Sequence, residues 1–330
     1  MVTSLQLNMT PSSSLRVLFR VAAGPRLGFG HLVRSLSLAR AMGVRPLLCL
    51  RGPQLVVDTA LSLGADVVAG GGLGTIRALR PDVVVIDDPV AKTARPWIAA
   101  ARRFGAVVVT IHDLGIGCPD GDVVIDGSVT KNVRPDNRRT TLTGARYAIL
   151  DPTLPASAGR RAANGERRVL VALGGGRRRG TAIAIAEAIA AADPGAEIRI
   201  AGGFAASTAP SSSITWLPPT RGLGRELSRA TVAVVGGGVS LYEACALGVP
   251  SVGVPVVRAQ TPTVREFGRR GATIAMPFRT SERRTAAAVV ALLDDPRRRA
   301  VLRRRARQLV DGEGAQRAAA AVLSFVRQRQ

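Results

Sequence analysis

Residues 16–39 read RVLFRVAAGPRLGFGHLVRSLSLA, and this stretch decides the fold. It joins an apolar run, Arg16–Ala22, to an Ala- and Leu-rich run through a glycine-rich segment that contains Gly28 and Gly30. Glycines let the backbone turn sharply and approach a ligand closely, and the start of a helix offers free N–H groups to an anion. The stretch therefore predicts a strand, a nucleotide- or phosphate-binding loop and a helix in succession.

The same alternation continues through the first half of the chain. The predicted strands are Arg16–Ala22, Pro46–Leu50, Asp66–Val68, Asp82–Ile86, Ala106–Ile111 and Asp122–Ile125. The predicted helices are His31–Met42, Gln54–Leu63 and Ala94–Phe104. Runs such as Val83–Ile86 are apolar throughout, which is typical of parallel strands that are covered by helices on both faces.

The pattern restarts after residue 167. Here the predicted strands are Arg168–Leu173, Glu197–Ala201, Ile214–Leu217, Val232–Val235 and Ser251–Val254. The predicted helices are Thr181–Ala191, Leu223–Ala230, Ser240–Leu247, Thr263–Arg270, Ser281–Leu293, Pro296–Val310 and Ala315–Arg327. Repeated strand–helix units predict an α/β fold with two doubly wound, Rossmann-like parallel sheets. A ligand is expected in the crevice between them, at the carboxyl ends of the strands.

Composition sets the domain boundaries. A chain of 330 residues is long enough for two domains of ordinary size. Residues 1–14 are polar and rich in Ser and Thr, so we predict a disordered tail. The first domain is predicted over residues 15–154, and the Ala-, Gly- and Arg-rich residues 155–167 are the predicted linker. Residues 168–330 are the predicted second domain.

The formal net charge of +23 raises a nucleic-acid hypothesis, but the surplus is almost all Arg and is spread along the chain. No nucleic-acid-binding motif accompanies it, so we predict no specific nucleic-acid partner. The sequence has no apolar run of eighteen residues, which predicts no membrane span and leaves peripheral membrane contact open. The three cysteines lack paired spacing, so neither a disulfide framework nor a zinc site is predicted. The absence of a predicted disulfide framework favours a cytoplasmic location.

His31 begins the first predicted helix, where the helix dipole favours the neutral ring. A neutral imidazole in a cleft can accept a proton, while the alternative role is capping or packing. Asp87 and Asp88 follow the strand that ends at Ile86. Carboxylates at such a position bind sugar hydroxyls or hold a base in place, although an Asp-Pro turn is the simpler alternative. We place His31, Asp87 and Asp88 together as candidate catalytic residues.

The second half repeats the glycine signal. Gly236-Gly237-Gly238-Val239-Ser240 follows a strand and opens a helix, a natural seat for a diphosphate. Glu243 stands three residues after Ser240, so the two also spell a capping box. In the functional alternative Glu243 accepts hydrogen bonds from ribose hydroxyls. The nucleotide-binding candidates are Gly28, Gly30, Gly174, Gly175, Gly237, Gly238, Ser240 and Glu243, and the sugar-facing candidates are Arg34, His112 and Gln260.

These segments together resemble the UDP-sugar hydrolases of the pseudaminic acid pathway, relatives of the glycosyltransferase that makes lipid II, which share its two-domain GT-B fold. The resemblance rests on Gly28-Phe29-Gly30-His31-Leu32-Val33-Arg34, Val85-Ile86-Asp87-Asp88, Gly144-Ala145-Arg146-Tyr147-Ala148-Ile149-Leu150, Gly236-Gly237-Gly238-Val239-Ser240-Leu241-Tyr242-Glu243 and Val310-Asp311-Gly312-Glu313-Gly314-Ala315-Gln316-Arg317. It implies that Gly237, Gly238 and Ser240 hold phosphates, that Glu243 holds the ribose, and that His31 activates water at the anomeric carbon.

The sugar-facing positions depart from the hydrolase pattern. Pro89 stands where the family has Tyr, His112-Asp113 where it has an Asp pair, and Gln260-Thr261 where it has Asn-Gln. UDP-sugar hydrolysis is the first expectation because of His31 and the order of the motifs, and the altered sugar-facing positions motivate the alternative. Transfer of the sugar to a small-molecule or glycan acceptor is the alternative, and a non-catalytic nucleotide- or nucleic-acid-binding protein is a remote third. No cofactor and no metal are expected, because N–H groups and Arg can neutralise the phosphates.

Overall fold

The computed structural model describes residues 15–69, 71–112, 119–130, 133–134, 139–154, 166–174, 179–202, 214–217 and 222–329. The predicted tail, residues 1–14, and all but the last two residues of the predicted linker lie outside these ranges. The described residues form two parallel sheets, each with the strand order of a doubly wound fold. The predicted fold class is therefore confirmed.

The first sheet has the order β3-β2-β1-β4-β5-β6-β7 among the described residues. Its strands are β1 (Val17–Ala22), β2 (Leu47–Arg51), β3 (Asp66–Val67), β4 (Val83–Asp87), β5 (Val107–His112), β6 (Val123–Asp126) and β7 (Thr140–Thr143). The helices that accompany it in sequence are α1 (Gly30–Ala41), α2 (Gln54–Ser62), α3 (Gly74–Leu79) and α4 (Ala91–Arg103), and a 3-10 turn follows at Ala145–Tyr147. The short elements β7 and α3 were not predicted, since TTLT and GTIRAL are too brief to show a clear period.

The second sheet has the order β10-β9-β8-β11-β12-β13 among the described residues. Its strands are β8 (Arg168–Ala172), β9 (Glu197–Ala201), β10 (Ile214–Leu217), β11 (Val232–Gly236), β12 (Ser251–Val254) and β13 (Ile274–Ala275). The helices of this half are α5 (Arg179–Ala192), α6 (Gly224–Arg229), α7 (Val239–Leu247), α8 (Thr261–Arg269), α9 (Glu282–Asp294), α10 (Pro296–Leu309) and α11 (Gly314–Arg329), with a 3-10 turn at Arg258–Gln260.

Both faces of the first sheet are buried. Consecutive residues of β4 show this burial. Val85 belongs to a cluster on the face that α1 covers, while Ile86 packs with Trp97 of α4 on the opposite face. The apolar run of β4 therefore follows from its central place in the sheet. It also means that consecutive residues at the end of this strand point to opposite faces.

Helix α11 packs against the first sheet, although the sequence-based boundary assigned it to the second domain. Its buried stripe joins the cluster of Phe19 and Leu32, and it consists of Ala315, Ala318, Ala319, Val322 and Val326. A Cβ added to Gly314 would lie 2.2 Å from the carbonyl oxygen of Ala148, so only glycine fits where this helix starts. The first structural unit therefore includes residues 314–329. Among the described helices, none is long and apolar enough to cross a membrane.

Candidate functional site

Two glycine-rich loops, one from each sheet, meet across the crevice. Gly30 begins α1, and a Cβ added to it would lie 3.5 Å from Cγ2 of Val239, the first residue of α7. Near them the backbone N–H of Val129 donates to the Tyr242 hydroxyl over 2.9 Å. The two loops that the sequence singled out thus face each other at the carboxyl edges of their sheets.

His31 lies in the first turn of α1 with its ring against the end of β4. Its Nδ1 is 2.7 Å from Oδ1 of Asp87, whose side chain is only 1% exposed. Arg34, one turn further along α1, donates from Nε to Oδ2 and from Nη2 to Oδ1 of the same carboxylate, each over 2.6 Å. The structure therefore brings His31 and Asp87 together as predicted.

The carboxylate of Asp87 is ionised in this arrangement. Burial alone would raise its pKa, but the charge of Arg34 and the hydrogen bonds from Arg34 and His31 hold that pKa well below its usual range. An ionised carboxylate only accepts hydrogen bonds, so Nδ1 of His31 carries the proton that it donates to Asp87. The 2.9 Å approach of Arg34 Nη2 to Nδ1 is then a contact between two donors that share one acceptor.

The other ring nitrogen, Nε2 of His31, keeps its lone pair in this tautomer. The described part of the chain offers Nε2 no hydrogen-bond partner, and the side chain is 14% exposed. A carboxylate that fixes Nδ1–H and leaves Nε2 basic is the arrangement by which a histidine takes a proton from a hydroxyl. The arrangement would allow His31 to act as a general base, with Asp87 as the group that orients it.

Asp88 has a different environment. Arg51 donates to both of its carboxylate oxygens, over 2.9 and 2.6 Å, while Val90 N–H and the Thr93 hydroxyl supply two further bonds. These partners lie on β2 and at the start of α4, on the face of the sheet opposite to His31. The catalytic role predicted for Asp88 has no support in this geometry, because its oxygens are engaged in joining β2 to the β4–α4 turn.

Packing against neighbouring side chains constrains the glycine loop that joins β11 to α7. A Cβ on Gly237 would lie 2.7 Å from Cγ2 of Val264, and its N–H donates to Oε1 of Gln260 over 3.2 Å. The N–H of Gly237 is therefore already used. Gly238 is the N-cap of α7, so the N–H groups of Val239 and Ser240 have no acceptor within the helix. These two N–H groups and the helix dipole can hold an anion, and we call them the candidate anion site of this loop.

The predicted capping box is not formed. Ser240 lies inside α7 rather than at its N-cap, and no side chain caps this helix start. Glu243 is therefore not engaged by the helix start, although it is only 6% exposed. Burial, with a smaller contribution from the charge of Asp151, raises the pKa of Glu243 to about 7. Because Glu243 does not cap the helix, its carboxyl oxygens can accept hydrogen bonds from ligand hydroxyls.

This buried carboxyl predicts a pH-dependent stability, measured against Glu243→Gln, which keeps the shape and removes the titration. The folded-state pKa of about 7 lies above the ordinary 4.5. The contribution of Glu243 to the stability of the fold is therefore at its full value below the ordinary pKa of a Glu side chain. This contribution is lost as the pH rises through 7. Without ligand, we expect wild type to lose up to about 3 kcal/mol relative to the Gln variant between pH 4 and 8. Urea unfolding at both pH values measures this difference, and a constant difference would contradict the assignment.

The other predicted residues are distributed around the two loops. Oε1 of Gln260 accepts from Gly237 N–H and, over 3.0 Å, from Val256 N–H, which leaves its amide nitrogen beside Gly238. His112 ends β5 and lines a cavity of about 40 Å³ that also contacts Val239.

Three further predictions have different outcomes. Arg34 was predicted to face the sugar, but it is 7% exposed and its guanidinium is bound to Asp87. Gly28 has φ +87° and pairs with Gly24 in a tight turn, so the backbone conformation at this position requires a glycine. Gly174 lies at the exposed end of β8, and Gly175 lies outside the described residues.

Sequence reasoning missed Tyr242 and the ion pair of Arg40 with Asp151. Tyr242 accepts a hydrogen bond from the N–H of Val129 across the crevice. Arg40 of α1 forms an ion pair with Asp151, whose charge contributes to the raised pKa of Glu243. Position in the fold is what makes these residues notable. Tyr242 stands within the α7 segment that carries the resemblance, but no pattern indicates that its hydroxyl bonds across the crevice, and Arg40 and Asp151 belong to no motif.

Comparisons with known proteins agree with this geometry. Residues 183–305 match the family model described as UDP-glucoronosyl and UDP-glucosyl transferase, a stretch that contains the α7 loop, Glu243 and Gln260. No curated protein sequence matches the chain.

Solved structures match nearly the whole chain at low identity. A candidate UDP-N-acetylglucosamine 2-epimerase from Listeria monocytogenes is 13% identical, with TM-score 0.63 and coverage of 96% of this chain and 98% of that one. The glycosyltransferase SnogD from Streptomyces nogalater is 19% identical, with TM-score 0.63 and coverage of 95% and 100%. The glycosyltransferase SsfS6 from Streptomyces sp. SF2575, complexed with thymidine diphosphate, is 15% identical, with TM-score 0.61 and coverage of 96% and 100%.

The fold is therefore GT-B, and the family model together with this fold indicates an enzyme. The findings support the glycosyltransferase superfamily, which is the wider part of the resemblance seen in the sequence. They give no support to its narrower part, the UDP-sugar hydrolases of the pseudaminic acid pathway.

Proposed function

We propose that the protein transfers a sugar from a nucleoside diphosphate sugar to the hydroxyl group of an acceptor. The observation that carries the proposal is the His31–Asp87 pair, which borders the crevice directly opposite the anion site of α7. The match of residues 183–305 to a transferase family supports transfer over hydrolysis and UDP as the first nucleotide to test.

In this reaction the acceptor hydroxyl gives its proton to Nε2 of His31 as its oxygen attacks the anomeric carbon. The bond between that carbon and the diphosphate oxygen breaks, and the nucleoside diphosphate leaves with the electron pair. Asp87 stabilises the imidazolium that forms, as a buried carboxylate does in other histidine bases. The positive end of α7 and the N–H groups of Val239 and Ser240 stabilise the charge that develops on the leaving phosphate.

Glu243 accepts hydrogen bonds from the ribose in this proposal. Its raised pKa supports this role, because donation from two hydroxyls favours the ionised form and repays the cost of burying it. Nucleotide affinity is accordingly expected to increase as the pH rises through about 7, and Glu243→Gln removes that increase. Gln260, held beside Gly238, has its amide nitrogen available for the sugar.

The test is nucleotide release from a panel of UDP- and dTDP-sugars in oxygen-18 water, with and without a panel of acceptor alcohols. The dTDP-sugars are included because SsfS6 was solved with thymidine diphosphate. Transfer predicts slow release alone, faster release with one class of acceptor, and a glycoside without label. Rapid release without acceptor, with label in the freed sugar, would replace transfer by hydrolysis. No binding of either diphosphate would remove the nucleotide-sugar assignment.

A further inference from the structure

The arginines of helix α10 form two rows with different surroundings. The helix has seven arginines and no carboxylate among its 14 residues. Arg299, Arg303 and Arg307 follow one another at intervals of four and donate to backbone carbonyl oxygens at the C-terminal ends of α9 and α7. Arginine at the end of a helix satisfies carbonyl groups that lack a partner and complements the helix dipole. This inner row therefore attaches α10 to its neighbours.

The other four arginines of α10 form an outer row on the solvent side of the helix. They are Arg297, Arg298, Arg304 and Arg305, and all four are exposed. The helical repeat places them within an arc of about 120° around the axis and over about 12 Å along it. Among the residues that the structure describes, none of these guanidinium groups forms an ion pair. Val301, which is 38% exposed, lies between them, so the helix presents a cationic strip with an apolar centre.

The positive charge continues beyond α10 to the end of α8. A Cβ added to Gly271, in the turn after α8, would lie 2.9 Å from Cδ of Arg305, so the Arg305 side chain lies over this turn. The two preceding residues, Arg269 and Arg270, share the single carboxylate of Glu266 over 2.8 and 2.7 Å. One positive charge therefore remains in excess here and adds to the four of the outer row.

The outer row lies away from the crevice. The inner row of α10 binds the carbonyl oxygens of Leu247 and Gly248 over 3.2 Å each, at the C-terminal end of α7. The candidate anion site is at the other end of α7, where the helix starts at Val239. Nine helical residues separate these two ends by about 13 Å. A partner that binds the outer row therefore leaves the crevice open to a donor and an acceptor.

We propose that the outer row of α10 docks the protein on a bilayer that contains anionic lipids. Four neighbouring like charges repel each other until an extended anion neutralises them, and clusters of four to eight basic side chains on a helix recognise anionic headgroups. The exposed Val301 fits a bilayer, because an apolar side chain can enter the headgroup layer. A nucleic acid fits less well, because α10 has no aromatic side chain on which a base could stack. The inference goes beyond the proposed function and does not depend on it.

The test is co-sedimentation of the full chain with vesicles of phosphatidylglycerol and phosphatidylcholine in equal parts, and with vesicles of phosphatidylcholine alone. The wild type is expected to bind the anionic vesicles and to leave the neutral ones in solution. The variant with Arg297→Gln, Arg298→Gln, Arg304→Gln and Arg305→Gln is expected to bind the anionic vesicles about a hundredfold more weakly or less, since each basic side chain near such a surface contributes about fivefold. Glutamine preserves the helix, because its helix propensity is close to that of arginine.

The matched control removes the same charge from exposed arginines elsewhere, through Arg77→Gln, Arg95→Gln, Arg103→Gln and Arg225→Gln. It is expected to keep vesicle binding within about fivefold of the wild type, the effect of one basic side chain. Thermal unfolding shows whether both variants are folded.

Three results would overturn the inference. The wild type could leave the anionic vesicles in solution, or the two variants could lose equal affinity, which would assign the binding to net charge. Tighter binding of a DNA duplex than of the anionic vesicles in the same buffer, lost in the α10 variant, would assign the outer row to nucleic acid. Failure of the proposed function in the nucleotide test leaves all of these measurements valid.

Discussion

Replacing His31 by alanine is expected to lower kcat by about 10²–10⁴-fold, the usual contribution of a general base. The affinity for the nucleotide sugar is expected to change by less than about threefold, because the proposed nucleotide contacts lie on α7 and not on α1. Stability should change little as well, since Asp87 keeps both of its hydrogen bonds from Arg34. Single-turnover rates and calorimetric titration of the donor separate these effects.

Two further measurements sharpen this prediction. His31→Gln retains a donor for Asp87 but has no basic nitrogen, so it should be as inactive as the alanine variant. Added imidazole should restore part of the activity to the alanine variant, whose cavity can hold it, and little to the glutamine variant. A parallel loss of donor affinity and turnover would instead assign His31 to phosphate binding or to structure.

Replacing Arg34 by methionine is expected to lower the free energy of unfolding by about 3–5 kcal/mol, the cost of leaving one buried charge without its partner. Asp87 is 1% exposed, so water cannot substitute for the guanidinium. The deficit should be largest near pH 7 and should shrink as the pH falls, because Asp87 can then take up a proton. Urea unfolding at pH 7 and pH 5 measures both effects.

The double variant Arg34→Met, Asp87→Leu supplies the control. Replacing a whole buried ion pair with apolar side chains is often nearly neutral, so most of the lost stability should return. Turnover should not return, since His31 loses the carboxylate that fixes its tautomer. A double variant that recovers both stability and turnover would show that Asp87 only balances the charge of Arg34.

Much of the fold was predictable because its strands are buried on both faces. Fully apolar runs such as Val83–Ile86 predict central parallel strands, and the glycine loops mark the carboxyl ends of such strands. The assignment of α11 failed for a physical reason. Its stripe of small and branched side chains shows that one face is buried, but periodicity carries no information about which sheet buries it.

The candidate site was predictable in part. His31, Asp87 and the α7 loop stand at strand ends, and strand ends meet at one edge of a parallel sheet. The roles of Asp88, Arg34 and the pair Ser240–Glu243 were not predictable, because each depends on direction. Asp88 points away from Asp87 across the sheet, and the start of α7 at Val239 places Ser240 too far into the helix to cap it.

The return of α11 to the first sheet has a consequence during synthesis on the ribosome. The ribosome adds about 5–20 residues per second, so roughly ten to thirty seconds separate the last strand of the first sheet from this helix. During that interval the apolar face around Phe19 and Leu32 lacks its cover, while the second sheet emerges complete. The order of completion is therefore the reverse of the order of translation, and the nascent protein exposes this apolar surface until α11 has been made.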